Sequence, residues 1–144
     1  MFYFENLQVY QDARAFNRAI RGSLAYIPRW DGVWTMNAPL GGSVGMSNTD
    51  RRQLRDAALS IVLNIAEGQG RTTPGDRRHF ATIARGSLYE VVSCLTILQD
   101  DGVLDPRQVA AFRAQAAALL GQINGLIARP GGTPASRPET RETK

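Results

Sequence analysis

The chain predicts an all-α fold, an up-down four-helix bundle, on three observations. Four segments carry apolar residues at intervals of three and four. Three of those segments open on residues able to cap a helix N-terminus. No segment shows a convincing strand pattern, and amphipathic helices with no sheet to cover must bury their stripes against one another.

The first helix is expected over about residues 5–28, with Val9, Ala13, Phe16, Ile20, Leu24 and Ile27 on one stripe and Pro28 as its stop. The second is expected over 50–67, entered through "SNTD", with Leu54, Ala58, Ile61 and Ile65 facing inward. The third opens at "TPGD": Thr73 caps it, Pro74 takes the tolerated first position, and Asp76 suits the positive helix end. Phe80, Ala84, Ser87, Val91, Leu95 and Leu98 form its inner face, and Gly102 is its stop. The fourth starts with Asp105 and Pro106 and continues through Val109, Phe112, Ala116, Leu119, Ile123 and Leu126. These elements place one bundle domain over residues 1–128.

Two segments stand outside the pattern. Residues 28–50 form a long connection of the kind that is functional or mobile. Its "GGSVG" lacks the Lys-Ser/Thr partner of a phosphate loop, and Trp30 and Trp34 are expected to pin it to the bundle. The tail, residues 129–144, has almost nothing to bury and is expected to be disordered.

A length of 144 residues suits one domain with a real core, and 43% hydrophobic against 21% charged residues is ordinary for a globular protein. No run of 18 apolar residues occurs, so no membrane span is expected. The N-terminal "MFYFENLQVYQ" lacks the basic region and apolar run of a signal peptide. The single cysteine, Cys94, can form no intrachain disulfide, so a cytoplasmic location is expected. The net charge of +4 is unevenly placed. Residues 51–85 hold seven arginines against Asp56, Glu67 and Asp76, whereas 86–128 hold Arg107 and Arg113 against Glu90, Asp100, Asp101 and Asp105. One end is therefore basic and the other acidic.

The second helix poses the main question. Its far side carries Leu59, Leu63 and Ala66 where a peripheral helix should be polar. Such a helix needs cover on both sides, from a second copy of the chain or from the long connection; the second copy is favoured, with Leu59 and Leu63 as the expected contacts. Beside its core stripe stand Ser60, Asn64 and Glu67, each needing partners that Ser87, Glu90 and Arg71 or Arg85 are placed to supply. Two readings arise: a hydrogen-bonded network that fixes helix register, or an acid/base site on Glu67 and Glu90. The network is favoured, because no nucleophile–base pair or metal-ligand set accompanies the carboxylates. Gly86, in mid-helix, is expected to admit a second backbone close by.

"FENLQVYQDA" (4–13), "QLRDAALSIVLNIAEGQGR" (53–71) and "FATIARGSLYEV" (80–91) resemble the four-helix-bundle family of the S23 ribosomal protein type, members of which are encoded in intervening sequences of bacterial 23S rRNA genes. The resemblance spans about residues 4–128 and rests most specifically on the NIAEG-x-GR and GS-x-x-E elements. It implies an up-down bundle assembled as a homopentameric ring. It also implies kinship with the accessory variability determinant protein of diversity-generating retroelements, a basic pentamer that binds nucleic acid and a reverse transcriptase. Two features depart from the family pattern. Asp56 follows Arg55 where an arginine pair is usual, and the connection after the first helix is expanded by "WTMNAPLGGSVGM".

The function expected from these readings is a non-enzymatic oligomeric scaffold that binds RNA or DNA through arginine-rich outer surfaces. Three groups are the candidates: Arg14, Arg18 and Arg21 on the first helix, Arg51, Arg52 and Arg55 at the start of the second, and Arg71, Arg77, Arg78 and Arg85 with Tyr89 on the third. The alternative is an adaptor for a protein client such as a reverse transcriptase. His79 is the only histidine, so multi-histidine metal sites are ruled out and catalysis is not expected. No metal and no cofactor is expected.

Overall fold

The computed structural model describes residues 1–29 and 45–129. A 3-10 turn over Tyr3–Asn6 leads into α1 (Gln8–Leu24), followed by α2 (Asn48–Gly70), α3 (Pro74–Asp100) and α4 (Pro106–Ala128). Each helix packs on its neighbours in sequence and α1 closes the bundle against α4, with the α2–α3 interface the most extensive. Among the described residues there is no strand, only an isolated bridge between Arg29 and Met46.

The caps act where the sequence places them. Thr73 Oγ1 accepts the amide of Asp76 at 3.1 Å and Asp105 Oδ1 that of Arg107 at 2.6 Å. Gly102, at φ 72°, turns the chain out of α3 through the left-handed region that glycine adopts without strain. The inner stripes meet in one core that runs from Val9 on α1 through Leu54, Ile61 and Ile65 to Val91, Leu95, Leu119 and Ile123. By length and composition alone α3 is apolar enough to cross a membrane. Ala84, Leu88, Val91, Leu95 and Leu98, which contribute to that hydropathy, are buried in the bundle.

Three boundaries differ from expectation. The first helix is shorter, because Leu7 is extended and separates the 3-10 turn from α1. At its other end, the chain leaves the helix at Ala25, before Pro28 can act as the stop. The second helix is longer at both ends. Ser47 caps it by accepting the amide of Asp50, and it runs on through Gly68 to Gly70. The glycines do not break it.

The expected close approach also lies elsewhere. Gly86 has no neighbour within 4 Å of where a Cβ would stand, whereas a Cβ on Gly68 would lie 3.1 Å from Phe80 Cβ and 3.4 Å from the Arg77 carbonyl. The glycine that lets two helices meet is therefore Gly68, where the start of α3 crosses the end of α2. The long connection is anchored by Met46, 1% exposed in the core, whose amide donates to the Pro28 carbonyl at 2.9 Å. Trp30, Trp34 and the tail from residue 130 onward lie outside the described residues.

Gly68→Val forces a branched side chain against Phe80 and lowers the unfolding free energy by about 2 kcal/mol. Gly121→Ala, at an exposed α4 position with open space around it, raises it by up to about 1 kcal/mol. Urea titrations of the two variants check the contrast.

Candidate nucleic-acid interface

The polar residues of the α2–α3 seam divide into three groups. Ser60 and Ser87 face one another with their hydroxyls 2.8 Å apart, and Asn64 Nδ2 donates to the Ser60 carbonyl at 2.8 Å and to its Oγ at 3.0 Å. Glu67 pairs with Arg71 one turn on. Glu90 accepts from Gln53. Ser60 facing Ser87 puts the residue opposite Glu67 near Phe80, so Glu90 stands about ten residues, roughly 15 Å, further along α3. Glu67 and Glu90 do not form a joint site. Ser60, Asn64 and Ser87 form the register-fixing network, and the two carboxylates lie outside it.

The arginines divide just as clearly. Arg51 reaches back from α2 and donates to the Leu24 and Ile27 carbonyls, the second at 2.8 Å. These are carbonyls at and beyond the α1 C-terminus, where a cation offsets the negative helix end. Its expected place on a binding face is thereby corrected: the guanidinium is half-buried, and its Nε has no partner. Arg71 pairs with Glu67 while its Cζ lies 4.7 Å from the centroid of the Phe80 ring, and its carbonyl accepts from Arg77 Nε at 2.8 Å. Arg85 Nη1 donates to Asn124 Oδ1 on α4 at 3.3 Å. All four of these arginines are engaged within the bundle, at junctions between its elements. The NIAEGQGR stretch closes α2 against the start of α3 through Glu67, Gly68 and Arg71.

Outside that structural set, Arg78 and Tyr89 are exposed on α3, as is Arg52 on α2, and Arg55 has only Asp56, at 3.9 Å, as an ion partner. The most concentrated group is on α1. Arg14, Arg18 and Arg21 are exposed and line, with Tyr10, Asn17 and Val62, an open groove of about 560 Å³ between α1 and α2. Among the described residues no carboxylate lies within 4 Å of their guanidinium groups. Asp12, the acid on α1, is turned instead to α4, where it accepts from Gln122 at 2.7 Å.

The apolar far side of α2 is partly covered within the chain. Leu59 and Ala66 are half-buried and Leu63 is 57% exposed. Cys94 is half-buried, and that burial, with Glu90 and Asp50 adding to it, pushes its thiol above the usual range. Among the described residues no group of three or more His, Cys, Asp or Glu side chains gathers as metal ligands would.

A family model, described as 23S rRNA-intervening sequence protein, matches residues 48–125, from the first turn of α2 well into α4. The chain belongs to this family. The match contains the α2–α3 corner, the Ser60–Asn64–Ser87 network and the arginines that tie the helices, which makes the bundle's internal fastenings part of the family segment. The α1 groove draws on both sides of its boundary: Tyr10 and Arg14 through Arg21 precede it and Val62 falls within it. No curated protein matches the chain.

Sequence reasoning missed Arg51 as a clamp, Met46 as core and Asn17 as the groove's polar wall. An arginine between two helices gives no sign in sequence of which carbonyls it will reach. Arg51→Met leaves two carbonyls without their charged donor and lowers the unfolding free energy by about 2 kcal/mol. Arg52→Met, one residue away and exposed, stays within about 0.5 kcal/mol of the parent. Urea denaturation followed by circular dichroism measures both.

Proposed function

We propose that this family member is a non-enzymatic scaffold that binds nucleic acid, RNA foremost, as an assembly of several copies. The observation that carries the reading is the α1 groove, where three exposed arginines converge without a carboxylate to neutralise them. Forked guanidinium groups suit phosphate oxygens, and their charge attracts a polyanion whatever its sequence. The family's description, which refers to an intervening sequence of 23S rRNA, favours RNA as the polyanion.

Assembly is supported by the apolar residues left open on α2 and α3: Leu63, Ile83 and Ile97. A second copy covers them, and a five-subunit ring is the form the resemblance implies. A ring repeats the α1 groove around its axis, so weak contacts add through avidity. The second reading, an adaptor for a protein client such as a reverse transcriptase, is favoured by the same open residues. A client retained on the protein after nuclease treatment identifies it.

Fluorescence anisotropy with a labelled RNA tests the first reading. Affinity falls roughly 20- to 40-fold between about 50 and 200 mM salt if three phosphates are contacted. Arg14→Glu, Arg18→Glu and Arg21→Glu together remove binding, while Arg107→Glu with Arg113→Glu, at the acidic end, leaves it intact. Retained binding in the α1 triple variant contradicts the assignment.

A further inference from the structure

The N-terminal residues "MFYF" have no role in the core, yet they are ordered against the bundle. The Phe2 amide donates to Glu5 Oε2 at 2.7 Å, the Glu5 amide donates to the Phe2 carbonyl at 3.1 Å, and Gln11 Nε2 holds the Glu5 carbonyl at 3.1 Å. That clasp sets a row of rings. Phe2 stacks on Phe4 with centroids 5.8 Å apart and planes 13° from parallel, and Phe4 meets the Tyr10 ring edge-on at 4.9 Å. The guanidinium of Arg14 lies 5.7 Å over the Tyr10 centroid. Phe2 is 72% exposed and Tyr3 is 68% exposed.

Aromatic surface held open in this way costs the free protein the hydration of its rings, and the row leads directly into the arginine groove. Asn17, in the groove wall, carries a buried Oδ1 with no hydrogen-bond partner. Rings for unpaired bases beside guanidinium groups for the backbone are the combination that single strands require. A duplex hides the faces of its bases in its own stack and offers the rings nothing.

We propose that the row from Phe2 through Phe4 and Tyr10 to Arg14, Arg18 and Arg21 is a single-strand track, on which unpaired bases stack while the following phosphates run along the α1 groove. The proposal rests on the nucleic-acid reading above and adds the form of the ligand. The chemistry recognised, an unpaired base next to a phosphodiester, is common to RNA and DNA.

The test uses the full chain and four labelled probes of about 15 nucleotides: oligouridine, oligothymidine, and a duplex of each nucleic acid. Both single strands bind at least about tenfold more tightly than the duplexes. Phe2→Ala with Phe4→Leu lowers single-strand affinity about tenfold and leaves duplex affinity unchanged. Circular dichroism checks that this variant is folded, and Phe2→Ala alone, at an exposed position outside the core, repeats the comparison with a smaller loss. Asn17→Leu weakens single-strand binding while leaving or raising thermal stability. Equal affinity for duplex and single strand, or no loss in the Phe2 variants, overturns the track while leaving the cationic groove. A parent protein that binds none of the probes overturns both. The tighter of the two single strands assigns the source.

Discussion

The packing of α2 against α3 is the constraint on which the rest of the structure depends. These two helices are the longest-shared pair in the bundle, and they are held at two points of different character. In the middle, the Ser60 and Ser87 hydroxyls meet across the interface with Asn64 supporting Ser60 from one turn on, so a register shift of one turn would break the contact and leave the Ser87 hydroxyl without its partner. At the end, Gly68 leaves room for Phe80 Cβ and the Arg77 carbonyl where a Cβ would crowd them, and Arg71 joins Glu67 on one side to the Phe80 ring on the other. The remaining helices pack on a pair whose alignment is already decided.

That constraint determines how the positive charge is distributed. A chain with seven arginines between residues 51 and 85 and three more on its first helix invites the reading that every exposed-looking arginine belongs to one binding surface. The fold divides them. Arg51, Arg71, Arg77 and Arg85 each bond to a backbone or side-chain acceptor, and each does so at a junction between elements. The arginines of α1 have no such duty. With Asp12 turned toward α4 and Val62 forming an apolar floor, their charge faces outward without compensation. Three arginines without an ion partner therefore lie together on α1, while α2 and α3 supply the frame.

Much of the architecture was legible in the sequence because it rests on local chemistry. The caps at Thr73 and Asp105, the left-handed Gly102 and the inward stripes follow from residue type and spacing. What was hidden depends on partners distant in sequence. Gly68 lies just past the expected end of the second helix, because glycine weakens an isolated helix; the neighbour it makes room for is Phe80, reached only after the chain has turned back. Gly86 looked like a contact and faces open space. Arg51 looked like a surface charge until the end of α1 came beside it. The candidate site was legible as a stripe of three arginines, but its groove required α2 to bring Val62 alongside, and its ring row required the N-terminal clasp.

Native-state hydrogen exchange tests the central claim most directly, since it reads which backbone amides open only when the whole molecule unfolds. If the α2–α3 pair is the frame, the amides around Ser60–Ile65 and Ala84–Val91 exchange last and at a common free energy, equal to that of global unfolding, while those of α1 open earlier. Amides of α1 outlasting that pair, or α2 and α3 exchanging at clearly different free energies, would contradict the account.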